Sequence, residues 1–301
     1  MPIWIAVSVF ALIWIFRYFS IRRSIGVGGK IQLKGKRVLV VGGSDGIGKA
    51  IAIESAKQGA EVIIAARRES TLEAAVDEIR SHIPETEKLK VVVLCCEISY
   101  QILDVTDKWD IIKTTVEKLV EDGGPIDILI NCAGFADMRP LNVLPMDIIE
   151  GMVSCNLLGS IKVTKAIIPS MIKQKNGHIV FISSVCGQFS FAGSSGYGAS
   201  KFGIRGFADA IAMESIEVKK IAAHGGVYTA QSVAAKVIDA IKNRKYWCTF
   251  GFNGFVIGVL TQGCSPIIDI TSTLASMFMT VIRFAFFVNL AEFYEIAESS
   301  K

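Results

Sequence analysis

From residue 37 to residue 245 the chain alternates between two apolar patterns. Short unbroken apolar runs are each followed by a longer stretch in which apolar residues recur every three or four positions. The first pattern marks strands buried on both faces, and the second marks helices packed along one side. Strands are predicted over Arg37–Val41, Glu61–Ala66, Lys90–Cys95, Ile126–Ile130 and His178–Ser183. Helices are predicted over Lys49–Gln58, Glu73–Arg80, Ile111–Val120, Ile148–Ile168 and Ala230–Lys242. Gly59, Gly123-Gly124-Pro125 and Gly177 stand where the chain must turn. Strands alternating with helices of this length predict an α/β fold, a doubly wound, Rossmann-type parallel sheet. No repeat or Pro/Ser-rich linker divides this body, so it reads as one domain.

Both ends depart from the pattern. Ile3 to Phe16 is almost wholly apolar, and Arg17, Arg22 and Arg23 follow it. A helix of that length spans about 24 Å, short of the roughly 30 Å hydrocarbon core, but Tyr18, Phe19 and Ile21 extend it. Basic residues after the apolar run, with none before it, favour an uncleaved membrane anchor whose body faces the cytosol. From Tyr246 to Ala291 the only charges are Asp269 and Arg283, and Gly251, Gly254, Gly258, Gly263 and Pro266 interrupt the stretch. This reads as a final strand and membrane-associating helices. The division is therefore an anchor at 1–24, a body at 25–245 and an apolar region at 246–301.

Composition agrees with a globular body carrying membrane-seeking ends. Hydrophobic residues make up 51% and charged residues 20%, which excludes disorder. The net charge of +4 is concentrated in Arg17, Arg22, Arg23, Lys30, Lys34, Lys36 and Arg37, before the first carboxylate at Asp45. Beside an apolar segment, such charge favours the anionic lipids of a cytoplasmic leaflet over nucleic acid, and no aromatic-basic interleaving points to nucleic acid elsewhere. Three His without ligand spacing and no C-x-x-C motif predict no metal site. Seven Cys without framework spacing suit a reducing compartment. Cys132, Cys155 and Cys186 read as core filling.

Candidate chemistry begins where the first strand meets the first helix, at Gly42-Gly43-Ser44-Asp45-Gly46-Ile47-Gly48. Glycines there let backbone N–H groups approach a pyrophosphate at the positive helix end. The second strand ends Ala65-Ala66-Arg67-Arg68, with no acid to accept from a ribose 2′-hydroxyl. A basic doublet at that point suits a 2′-phosphate, hence NADPH rather than NADH. Tyr197 and Lys201 are four apart and share a helix face, so a cation is placed to stabilise a phenolate.

The spacing Gly42-x-x-x-Gly46-x-Gly48 is followed in order by Asn131-Cys132-Ala133-Gly134, Asn156, Ser183-Ser184 and Tyr197-x-x-x-Lys201. By these motifs the chain resembles the short-chain dehydrogenase/reductase family from about Lys36 to Glu214. The resemblance implies that Gly42, Ser44, Asp45, Gly46, Ile47, Gly48, Asn131, Ala133 and Gly134 line the cofactor, making 25–245 an NADP-binding catalytic domain. It implies an acidic residue near the adenine after the third strand. Asp104 matches best and Glu97-Ile98-Ser99 less well, as if residues were inserted there. It further implies Tyr197 as proton donor, and Lys201 beside it holding the nicotinamide ribose. Ser184, with adjacent Ser183 as alternative, would bind the carbonyl oxygen, and Asn156 would prop a water. Val41 replaces the family's usual Thr before the first glycine.

Within the family, membrane-anchored members acting on a long-chain lipid ketone are the nearest resemblance. The stretches that carry it are Ile51-Ala52-Ile53-Glu54, Lys57-Gln58-Gly59-Ala60, Ala199–Gly206, Gln231–Ile241 and Thr261–Pro266. This implies reduction of a sphingoid-base precursor at the cytosolic face of the endoplasmic reticulum. Steroid- or retinoid-directed members are the enzymatic alternative, and a homo-oligomer is compatible with either. After Glu214 the family pattern stops. No clear strand is predicted from Ser215 to Tyr228, and no proline occurs between Pro169 and Pro266. A missing segment there predicts an unpaired sheet edge and an open cofactor face. A catalytically impaired, membrane-tethered binding protein is the corresponding non-enzymatic alternative.

Overall fold

A computed structural model describes residues 31–83, 97–214, 219–224, 229–243 and 247–249. The strands are β1 (Arg37–Val41), β2 (Glu61–Ala66), β3 (Ile98–Ile102), β4 (Ile128–Asn131), β5 (His178–Ile182), β6 (Lys219–His224) and β7 (Trp247–Thr249). They form one parallel sheet in the order β3-β2-β1-β4-β5-β6-β7. The helices are α1 (Gly46–Lys57), α2 (Glu69–Ser81), α3 (Trp109–Gly123), α4 (Met146–Met152), α5 (Ser160–Lys173), α6 (Ser195–Glu214) and α7 (Ala230–Lys242). The doubly wound α/β architecture is as the apolar pattern predicts.

Successive strand residues point to opposite faces, and both faces are covered. Val38, Val40, Val62 and Ile64 pack with Ile51 of α1, Leu72 of α2 and Ile238 of α7. Their alternates Leu39, Val41, Ile63 and Phe181 pack with Ile112 of α3, Ile167 of α5 and Ile211 of α6. This two-sided burial is why the β1, β2, β4 and β5 sequences are nearly unbroken apolar runs. At the N-terminal edge, nearly buried Arg37 ties three strands together. Its Nε donates to Glu61 Oε1 at 2.6 Å, and its Nη1 donates to the carbonyls of Leu119 and Gly124. Its backbone N–H donates to Asp127 Oδ2 at 3.0 Å.

Two strand expectations require correction. The third strand is Ile98–Ile102, registered as Val62↔Ile98 through Ala66↔Ile102; the apolar run Lys90–Cys95 lies outside the described residues. β3 is an edge strand whose Ser99, Tyr100 and Gln101 are only half buried, so its polar residues disguised it. A sixth strand does exist after Glu214. Lys219–His224 pairs with β5 on one side and β7 on the other, so no sheet edge is left unpaired at that point. Its apolar portion is just Ile221-Ala222-Ala223 between Lys220 and His224, too short to stand out. What is short is the β6–α7 connection, residues 225–229. Among the described residues no helix is long and apolar enough to cross a membrane, and the apolar segments 1–24 and 250–301 lie outside them.

Candidate active site

β1 lies between β2 and β4, so the chain leaves the sheet centre in both directions and opens a crevice at the C-terminal strand ends. Gly42 starts this crevice. Its N–H donates to Ala65 O at 2.7 Å, its φ is +80°, and a Cβ there would sit 2.6 Å from Ala133 N. Only glycine permits so close a crossing of the β1 and β4 ends. A Cβ on Gly48 would lie 2.0 Å from Gly42 O, so Gly48 lets α1 pack onto its own turn. Gly46, by contrast, has φ +55° and nothing within 4 Å of its Cβ position, which leaves the α1 N-terminus open. Asp45 caps the helix by accepting from Gly46 N at 2.7 Å, and Ile47 packs on the core beneath. Ser44 and Gly42 line the cleft.

That cleft, of about 200 Å³, runs from Gly134 to Arg67 and Arg68. Both guanidiniums are exposed, and neither is held by a carboxylate among the described residues. Leu103 and Val105 form its floor after β3, and Asp104 between them is half buried. Asp104 Oδ1 accepts from Thr106 N at 2.8 Å and Thr106 Oγ1 at 2.7 Å, which fixes its carboxylate. Glu97-Ile98-Ser99 instead enters β3 at the opposite, N-terminal edge, with Glu97 O accepting from Val62 N at 3.0 Å. That run is thereby removed as an adenine neighbour.

Beneath the cleft, Asn131 Nδ2 donates to Thr164 Oγ1 at 3.1 Å, while its buried Oδ1 has no partner among the described residues. Asn156 is 1% exposed and sits in a π-helical turn, Val153–Gly159, between α4 and α5. Its Oδ1 accepts from Phe135 N at 2.9 Å, and its Nδ2 donates to Phe135 O at 2.9 Å and Ser200 Oγ at 3.0 Å. Both amide hydrogens are thus spent, so a water at Asn156 would have to be held by oxygen. The clamp fixes the turn after Ala133-Gly134, where a Cβ on Gly134 would approach Asn156 Oδ1 to 2.9 Å and Lys201 Nζ to 3.7 Å.

α6 carries Tyr197 and Lys201 on one face. Lys201 is 6% exposed, and its Nζ donates to Ile182 O at 2.8 Å and lies 5.6 Å from the Tyr197 ring centre. Burial pushes its ammonium below the ordinary lysine range. Burial likewise pushes the Tyr197 phenol above its ordinary range, while the nearby Ser184 hydroxyl pulls it down. Ser184 caps the short turn Val185–Gly187 by accepting from Cys186 N at 3.1 Å. Ser183 faces away, its Oγ donating to Lys201 O at 3.4 Å. Of the two serines, Ser184 is therefore the one whose hydroxyl acts on the phenol. Desolvation pushes the Cys132 thiol up to about 11, which suits packing rather than reactivity.

Sequence reasoning missed Thr71, Leu103 and, beyond a reading as core filling, Cys155 in the cleft wall, and Thr164 beneath it. Cys155 adjoins Asn156, and the others belong to no motif; each is brought in by folding. Thr71 alone had a local signal, a hydroxyl in the first turn of the helix after the Arg doublet.

The model of the short chain dehydrogenase family matches residues 36–232. The 3-ketodihydrosphingosine reductase of Mus musculus is 32% identical over 293 residues, covering 88% of this chain and 84% of the mouse protein. The protein of the same name from Dictyostelium discoideum is 32% identical over 269 residues, covering 78% and 80%. Among solved structures, a metagenomic short-chain oxidoreductase in complex with NADP superposes with a TM-score of 0.61. It is 27% identical, and the match covers 71% of this chain and 93% of that one.

Proposed function

The chain belongs to the short-chain dehydrogenase family, and from that premise we propose that it is an NADPH-dependent reductase of 3-ketodihydrosphingosine, a long-chain amino ketone, at the cytosolic face of the endoplasmic reticulum. One observation carries the reading. Tyr197, Ser184 and Lys201 gather behind Gly134, whose Cβ position lies 3.7 Å from Lys201 Nζ, and the cleft that starts at Gly134 ends at two arginines that no carboxylate among the described residues holds. The identity of 32% to reductases of this ketone over 88% of the chain supports the substrate.

The cleft fits a dinucleotide bearing a 2′-phosphate. The open α1 N-terminus suits the pyrophosphate, Arg67 and Arg68 suit the 2′-phosphate, and Asp104 suits the adenine side. When bound, NADPH supplies the hydride. Tyr197 donates the proton to the carbonyl oxygen, which Ser184 orients through its hydroxyl. Lys201, fixed by Ile182 O, places a positive charge beside the phenol and offsets charge that develops as the proton leaves. Asn156 positions the Gly134–Phe135 backbone against Lys201 rather than touching the reacting atoms. Segments 1–24 and 246–301 would hold the domain on the membrane, where the alkyl tail of the ketone stays in lipid. The direct test is to reconstitute the full chain in vesicles with 3-ketodihydrosphingosine and NADPH. Product is followed by mass spectrometry, and its absence would sink the reading.

Cofactor choice depends on Arg67. In Arg67→Ala the dissociation constant for NADPH should rise by roughly tenfold to a hundredfold, as expected for losing a charge-assisted pair, with that for NADH nearly unchanged. Equal losses for both cofactors, measured by fluorescence titration, would remove Arg67 from the role.

The pH dependence should differ between the two directions. Reduction uses the protonated phenol, which burial holds protonated through neutrality, so its rate should stay flat until pH climbs through the Tyr197 pKa. Oxidation of the alcohol product uses the phenolate and should rise about tenfold per pH unit below that pKa. An oxidation rate that falls or stays level from neutral to alkaline pH would contradict the assignment.

A further inference from the structure

The stretch from the end of β4 through α4 is apolar in two directions. Inward, Leu144 and Met152 are buried, and a Cβ on Gly196, the residue before Tyr197, would lie 2.8 Å from Met152 Cε and 3.5 Å from Leu144 Cδ2. Met138 O comes within 3.4 Å of the Cβ position of Gly193. The segment is therefore seated on the start of the helix that carries Tyr197. Outward, Leu141, Val143 and Met146 are 64%, 56% and 63% exposed, and Met138 and Phe191 add to the same rim. Pro140 stiffens it, its carbonyl accepting from Val143 N and Leu144 N at 3.0 Å, and Pro145 precedes α4 at its N-cap. Side chains of this size, held out rigidly beside a catalytic mouth, mark a surface built to meet an apolar phase.

The direction of the sheet says which phase. All strands are parallel, so β7 releases the chain at the C-terminal edge, the same edge as this rim. From residue 250 to residue 291 that chain carries only Asp269 and Arg283 as charges. The described chain thus leaves β7 at the rim's own edge, and the sequence that follows it is apolar. The charges of the rim are also selective. Arg139 is held by Asp137 through Nε at 2.8 Å and Nη2 at 2.6 Å, and Asp147 and Glu150 follow with no further cation up to residue 150. An anionic surface would repel such a rim and a zwitterionic one would not.

We propose that Met138, Leu141, Val143, Met146 and Phe191 rest in the interface of a zwitterionic bilayer, setting the Tyr197 mouth against the lipid from which a long-chain ketone enters. The purpose of this contact rests on the reductase reading, but its existence is tested without catalysis. A fluorescent amino acid is placed at position 141 or 172 of the full chain in phosphatidylcholine vesicles. Ile172 is also exposed, at 53%, but lies in the last turn of α5 at the opposite sheet edge. Brominated phosphatidylcholine should quench the probe at 141 and not at 172, and replacing part of it with brominated phosphatidylserine should weaken the quenching at 141. No quenching at 141, or equal quenching at both positions, would overturn the proposal.

A second measurement separates the rim from the chemistry. The double change Leu141→Glu with Met146→Glu should raise KM several-fold for the long-chain ketone in vesicles. Reduction of a short-chain, water-soluble 3-keto analogue should be unchanged, with Ile172→Glu normal on both. Equal loss on both substrates would make the rim part of the catalytic mouth instead. Absence of reduction in unsubstituted protein would sink the reductase reading and leave the quenching result standing.

Discussion

Tyr197→Phe should lower the rate of carbonyl reduction by roughly a thousandfold, within the range general acid catalysis supplies, and leave NADPH binding nearly intact. The change removes one oxygen. It keeps the ring against which Lys201 Nζ lies at 5.6 Å, and it leaves the Lys201 bond to Ile182 O untouched. Ser184 still caps Val185–Gly187 by accepting from Cys186 N, so the local fold persists. Stopped-flow rates of hydride transfer and a cofactor titration on the same preparation give both halves of the result. A rate within tenfold of the parent would show that another group delivers the proton. Weakened NADPH binding of the same size would instead mean that the phenol supports the cofactor and not the reaction.

Lengthening the β6–α7 connection should raise kcat by about a hundredfold, the order of loss that a small misplacement of reacting groups produces. Residues 225–229 must carry the chain from the C-terminal edge of β6 to the start of α7, which packs with α1 on one face of the sheet. Five residues reach about 17 Å when fully extended. Little chain is left over to cover Tyr197 and exclude water from it. In the family that this chain resembles, the groups closing over the nicotinamide come from this connection. Grafting the longer connection of a related reductase between His224 and Thr229 tests the point, with kcat and thermal stability both measured. An unchanged kcat in a graft that remains folded would show that the short connection already suffices. The parent chain would then be fully active as it stands.

The parts of this molecule legible in its sequence are those where one physical demand dominates. β1, β2, β4 and β5 are buried on two faces, so nothing but apolar residues fits, and the run itself is the signal. The glycine turn is equally legible because Gly42 and Gly48 meet backbone at distances no Cβ allows. β3 and β6 escaped because an edge position relaxes the demand in one, while the apolar portion of the other is three residues long. Ser183 and Ser184 are indistinguishable as letters, and only the strand end decides which hydroxyl faces Tyr197 and which faces Lys201 O. The same holds for Asn156, whose spacing was legible but whose attachment to Phe135 and Ser200 was not. Thr71 and Leu103 arrive at the cleft, and Thr164 beneath it, from three separate parts of the chain, a convergence that no local pattern records.

The π-turn at Val153–Gly159 lets one continuous helical stretch serve two angular requirements. Toward the C-terminal end, α5 must aim Val163 and Ile167 at the sheet and Thr164 at Asn131. Upstream, Met152 must lie under the Tyr197 helix and Asn156 must reach Phe135 and Ser200. In a regular α-helix each residue advances the face by about 100°, so a single phase fixes all of these directions together. A wider turn absorbs an extra residue and shifts the phase between the two halves. The helix thereby behaves as two rotors joined by a fixed offset. Packing of α5 can drift in sequence without turning Asn156 away from the Tyr197 helix, provided the offset is kept.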